Sequence, residues 1–211
     1  MIKLIELYKQ ESINMLHSIS NDKISRFIDL ILDAYQSNNT IFACGNGGNA
    51  GLVLNMISDL ALHPFVSEDK HVQLQIDKRI HITNLCENTA ITTAIGNDIG
   101  FEFIFSEQLK FSAKENDLLI GISGSGSSKN ILNAFKYAKE HKMKSILITK
   151  KADSIIANFA DFVFDITGTS KFPGQTGGND NNFHFEDAIM KITHITSGII
   201  KGIIQNETNR S

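Results

Sequence analysis

The chain has 211 residues, 42% of them hydrophobic, and a formal net charge of −3. That length suits one compact domain with an appended element at one end. The near-balanced charge gives no electrostatic reason to expect a nucleic-acid surface, and no apolar run reaches the roughly 20 residues that a membrane helix needs.

The first 37 residues read as two helical segments broken near "SISND". Ile2, Ile5, Leu7, Ile13 and Leu16 fall at helical spacing in the first, and Ile24, Phe27, Ile28, Ile31, Leu32 and Tyr35 in the second. The opening "MIKLIELYKQESINML" mixes charge with apolar residues and has no cleavage site. That predicts a cytoplasmic, soluble protein without a signal peptide or membrane contact. A first strand is expected at Thr40 to Cys44, then a helix from about Asn49 to Leu62 and a surface stretch "HPFVSEDKHVQLQIDK". "RIHITNLC" (79–86) reads as a second strand, followed by two helical segments around a turn within 88–113. "DLLIGIS" (117–123) is a third strand and "SKNILNAFKYAKEHK" an amphipathic helix whose charge run is a solvated face. "SILIT" (145–149) and "DFVFDIT" (161–167) complete the strands, with a short helix at 153–159 between them, and "FHFEDAIMKITHITSGIIKGIIQ" returns to helical period. Strands alternating with helices predict an α/β fold: a parallel sheet with helices on both faces. The extra terminal helices suit an oligomer interface. Cys44 and Cys86 form no metal-type or redox pair in the sequence and read as buried thiols of a reducing compartment.

Two loops carry the chemistry. "IFACGNGGNAGLVLN" (41–55) runs from an apolar strand through a bare glycine loop into a helix. A dinucleotide fingerprint is a poor match, because Ala50 replaces its third glycine and the next strand ends near residue 86, too late for the ribose-binding acid. A Walker loop would need Gly-Lys-Ser/Thr, which is absent from the sequence. "LLIGISGSGSSKNILNAF" (118–135) repeats the plan, with Ser123, Ser125, Ser127 and Ser128 in its loop. A helix N-terminus offers unpaired N–H groups and partial positive charge, and hydroxyls add neutral donors. One serine could be an N-cap; four among glycines predict a phosphate cradle.

"CGNGG", "NTAITTAIGND" and "LLIGISGSGSSKNIL", in that order, resemble the sugar isomerase (SIS) domain, and most nearly its phosphoheptose isomerases. The resemblance covers nearly the whole chain. It implies a five-stranded parallel sheet with flanking helices, extra N- and C-terminal helices, and a homotetramer with sites at subunit contacts. It also implies a phosphorylated sugar as partner: sedoheptulose 7-phosphate, interconverted with a heptose 7-phosphate. Ser123, Ser125 and Ser128, with Gly124 among them, match the phosphate-holding loop. Asn46 matches the sugar-contacting asparagine of the loop that includes Gly47 and Gly48. Asn49 replaces the usual serine, and Asp98 matches a pocket acid.

The family's His/Glu pair on the first helix reads Asn55 and Asp59 here, and its later Gln-or-Glu and His read Glu186 and His194. These four positions hold zinc in some members, so the resemblance implies a divalent-metal site at Asn55, Asp59, Glu186 and His194. Spacings of four and eight residues put each pair near one helix face, which predicts convergence. Asn55 is a poor zinc ligand, and an oxygen-rich set favours harder metals; no cofactor is certain from the residues. Isomerisation through an enediol needs a base at carbon and a group that handles protons on oxygen. Asp59 as base and His194 as acid, or the reverse, are the expected pair, with Glu186 at the substrate. His63 stands where the family has its basic residue; His71, His81, His141 and His184 read as surface or packing residues.

"GTSKFPGQTGGNDNN" (168–182) has no periodicity and is expected to close over bound sugar, with Gln175, Asn179, Asp180 and Asn182 as hydroxyl partners. The altered His/Glu pair leaves a second reading: a non-catalytic SIS protein that binds a sugar phosphate and regulates a protein partner.

Overall fold

The computed structural model describes residues 1–69, 71–175, 177 and 180–208, with the backbone alone at 207 and 208. The chain begins with helices α1 (Ile2–Ser18) and α2 (Asn21–Gln36). It continues β1 (Thr40–Gly45), α3 (Gly48–Leu62), β2 (His81–Asn84), α4 (Thr89–Asp98), α5 (Ser106–Ser112), β3 (Leu118–Ile122), α6 (Lys129–Glu140), β4 (Lys144–Thr149), β5 (Phe162–Asp165) and α7 (Asn182–Thr208). The five strands form a parallel sheet in the order β2-β1-β3-β4-β5.

The strands are short and apolar because both faces of the sheet are covered. Ile41, Ala43, Leu118, Ile120, Ile122, Ile146 and Ile148 face a core shared with α2, α3 and α7. The alternate residues Phe42, Cys44, Leu119 and Leu147 face α5 and α6. Gly121 takes its place in that alternation because Phe135 of α6 presses on it: a Cβ there would lie 2.3 Å from the ring. At the opposite end of the sheet, buried Asp117 accepts from Thr40 N at 2.8 Å and Lys114 N at 2.7 Å, pinning the starts of β1 and β3 together.

Several boundaries depart from the sequence reading. β2 covers only four residues of the expected 79–86, because Asn84 turns the chain by accepting from Cys86 N. Cys86 is therefore only half-buried, and exchanges contacts with Gly45 rather than sitting in a strand. The segment at 153–159 is a 3-10 turn, Ile156–Phe159. The last helix starts at Asn182, so Glu186 and Asp187 lie past its first turn. Among the described residues no helix is long and apolar enough to cross a membrane.

The strand order sets the position of the site. From β1 the chain goes to one edge of the sheet, and β3 restarts on the other side of β1. In open parallel sheets the crevice at the carboxyl ends of such a strand pair is where ligands bind. The loops after β1 and β3 are the two singled out in the sequence.

Candidate active site

The two loops are tied to each other. Asn46 Nδ2 donates to Asn130 Oδ1 at 2.9 Å, and Asn130 Nδ2 donates back to Asn46 Oδ1 at 2.8 Å. Gly47 turns the first loop into α3 with a φ of 57°. In the second loop Ser123 Oγ meets Ser128 Oγ at 3.3 Å, and Ser125 Oγ accepts from Ser127 N and Oγ at 3.3 and 3.1 Å. Ser128 holds the N-cap position of α6 but makes no side-chain cap bond. The serines thus bond to one another and none of them caps α6; Ile131 N goes to Asn130 Oδ1, and the remaining N–H groups at the helix start face the loop, which is what an anion site at a helix N-terminus requires.

Between the loops lies a cleft of about 460 Å³ whose lining includes Asn46, Asn49, Ser123, Gly124, Ser125 and Ser128. The Oδ1 of Asn49 is buried without a hydrogen-bond partner among the described residues. An unmet polar group in such a place suits a polar ligand.

Lys150, at the end of β4, lines the same cleft and was not anticipated. The available signal was positional: a lysine immediately after "SILIT" stands at the carboxyl end of a strand that pairs with β3. Its Nζ donates to Asp180 O and Asn182 Oδ1, each at 2.7 Å. Asp180 and Asn182 therefore do line the cleft, as the long loop was expected to. Gln175 does not: it is buried and accepts from Phe183 N through its side chain, bracing the start of α7. Asn179 lies outside the described residues. Asp98 stands exposed at the end of α4, bonded to Asn97 Nδ2 at 2.7 Å, and is not part of this cleft.

A second cluster forms where α7 packs along α3. His194 Nε2 lies 3.4 Å from Asp59 Oδ2, and Asn55 Nδ2 donates to the same oxygen at 3.1 Å. Ser197 Oγ donates to Asp59 O at 3.0 Å, which fixes the two helices here. Glu186 does not join them. Its carboxylate sits against Gly48, where a Cβ would lie 2.9 Å from Oε1. The helices run side by side from neighbouring starts, so residues eight apart on α7 share a face but are separated by about 12 Å along the axis. Angular convergence held and axial convergence failed. Burial and the neighbouring Asp187 raise the Glu186 pKa, while Lys150 opposes them.

The metal expected at Asn55, Asp59, Glu186 and His194 does not fit one chain. Asn55, Asp59 and His194 supply an amide, a carboxylate and an imidazole, and the fourth donor is out of reach. Among the described residues no three His, Cys, Asp or Glu side chains are grouped to hold an ion.

Parallel sheet, switch-point cleft and serine loop together are those of an SIS domain, and the SIS domain family model matches residues 7–150. A phosphoheptose isomerase of Campylobacter jejuni is 35% identical over 163 residues, 76% of this chain and 83% of that protein. The phosphoheptose isomerase of Neisseria gonorrhoeae superposes with a TM-score of 0.76 at 24% identity, over 94% of this chain and 97% of the other. That of Francisella tularensis gives 0.77 at 23% identity, over 95% and 98%; the likeness in both bears out the fold. The chain belongs to the phosphoheptose isomerase family of SIS domains.

Proposed function

We propose that the chain is an aldose–ketose isomerase that interconverts sedoheptulose 7-phosphate and a heptose 7-phosphate through an enediol, as a homotetramer in the cytoplasm. The name carried by the Campylobacter jejuni relative supports the substrate class. The observation that carries the chemistry is the Asp59–His194 contact, a carboxylate facing an imidazole at 3.4 Å.

The phosphate lies on the serine loop and the start of α6, leaving the sugar chain to run outward. One member of the dyad takes the proton from the carbon beside the carbonyl. The other moves a proton between the two neighbouring oxygens, and the first returns its proton to the adjacent carbon. Asn55, through its bond to Asp59 Oδ2, fixes the direction in which the carboxylate points. Asp59 is one methylene shorter than the family's glutamate, and this brace compensates for lost reach with better definition.

Asp59 lies ten residues beyond Asn49 on α3, about 15 Å along the axis, and neither Asp59 nor His194 lines the cleft of its own chain. The cleft of one subunit therefore works with the dyad of a neighbour. Two features support that arrangement. The His194 side chain is 60% exposed, and Leu54, Leu62, Ile195 and Ile199 expose apolar surface on the same two helices. A buried patch of this kind at a subunit contact would exclude water from the enediol.

The test is incubation with a panel of ketose and aldose phosphates in deuterated water, following deuterium into the product carbon. Incorporation with sedoheptulose 7-phosphate is expected. Phosphate binding without exchange on any sugar would overturn the isomerase reading in favour of a sugar-phosphate-sensing regulator.

A further inference from the structure

Among the described residues the cleft contains a cation with no carboxylate in ion-pair contact. Lys23, Lys110, Lys142 and Lys201 each meet a carboxylate within 4 Å. Lys150 meets none among the described residues, although it is only partly exposed. Its ammonium has three N–H donors. Two go to the neutral acceptors Asp180 O and Asn182 Oδ1, which leaves the third and the full charge for the cleft.

The serine loop is shaped to admit this side chain. A Cβ on Gly124 would lie 3.2 Å from Lys150 Cε, so the lysine stem passes over the bare backbone between Ser123 and Ser125. Lys150 N also donates to Gly124 O at 3.2 Å, fixing the strand end to the loop. Lys151, the other lysine at the cleft, is exposed and has no such seat.

We infer that Lys150 is the charge partner of the sugar phosphate, the residue that selects a phosphorylated sugar over a free one. The inference rests on the phosphate-cleft reading and deepens it. Serine hydroxyls and a helix start bind an anion without neutralising it; an ammonium over Gly124 supplies the missing charge at the middle of the same loop. Burial pulls the Lys150 pKa below its ordinary value, aided by Lys151 and opposed by Asp180 and Glu186. An incoming phosphate opposes that shift, because a nearby anion favours the charged form.

The experiment measures the dissociation constant of inorganic phosphate by calorimetry on the full chain and three variants. Lys150→Met, which keeps the stem and loses the charge, is expected to bind phosphate about tenfold or more weakly, the scale of a hydrogen bond to a charged group. Lys150→Arg restores most of the affinity. Asn182→Ala removes one tether of the ammonium and leaves the cation; because Asn182 itself lines the cleft, it is read against Lys150→Met and should lose clearly less phosphate affinity than that variant does. Equal binding by the parent and Lys150→Met overturns the inference and leaves the cleft reading intact. If Asn182→Ala loses as much as Lys150→Met, Lys150 is a loop tether and the inference is overturned. No phosphate binding by the parent overturns both readings.

Discussion

His194 Nε2 and Asp59 Oδ2 stand 3.4 Å apart on two helices that the Ser197–Asp59 backbone bond already locks together. Because packing at this point rests on Ser197 and not on the dyad, the two side chains are removable without loosening α3 from α7. His194→Ala and Asp59→Asn should each lower turnover by about 10²- to 10⁴-fold, the range of general acid–base catalysis. Neither should change the rise in melting temperature that phosphate produces by binding the native state. Turnover by either variant at the parent rate removes the dyad from the mechanism.

A different cluster holds α1 to the body. Glu11 accepts from Ser170 Oγ at 2.6 Å and Lys171 N at 2.8 Å, and lies 3.0 Å from His184 Nε2. Burial works to raise the Glu11 pKa, but the Ser170 and Lys171 donors and His184 outweigh it and hold the carboxyl below its ordinary value. The sign follows directly. A carboxyl whose folded pKa is depressed adds stability that is fully present above its unfolded pKa, near 4.3, and is lost as pH falls through the lower folded value. Glu11→Gln should therefore cost about 1–3 kcal/mol at neutral pH and flatten the acid limb of the stability curve. Chemical denaturation of parent and variant from neutral pH down to about pH 3 reads both; parallel curves with a constant gap would show that Glu11 binds protons equally in the folded and unfolded states and that its pKa is not depressed by folding.

What the sequence disclosed, and what it hid, divides by the range of the interaction. The loops after β1 and β3 were legible because strand, glycine and helix start are local signals, and strand order brings both to one crevice. The pairing of Asp59 with His194 was legible as well, through helical period and the family likeness. Glu186 was misplaced because period gives an angle around a helix and no depth along its partner; the depth is set by how α7 docks on α3. Lys150 was missed because its meaning depends on Gly124 being bare and on Asp180 and Asn182 arriving from a distant loop. Gln175 looked like a sugar ligand by composition and is a brace for α7, a role visible only once Phe183 N is seen to need an acceptor. Asp98 matches the family's position in sequence, and in this chain it lies outside the cleft with its carboxylate accepting from Asn97 Nδ2.

The separation of cleft and dyad makes the assembly testable without a structure of the oligomer. Ser123→Ala/Ser125→Ala breaks the cradle and leaves the dyad; His194→Ala does the opposite. If one subunit's cleft works with a neighbour's dyad, each variant alone is nearly inactive, yet a mixed assembly contains sites built from the intact half of each. Random mixing of two subunit types at a symmetric contact places an intact cleft beside an intact dyad in about a quarter of the sites. Co-expression of the two variants with different tags, followed by tandem purification of the mixed oligomer, should then recover activity near that fraction. Scattering of the parent in solution should give the mass of four chains. A site contained within one chain predicts no recovery in the mixed species, and a monodisperse monomer with full activity would refute the shared site outright.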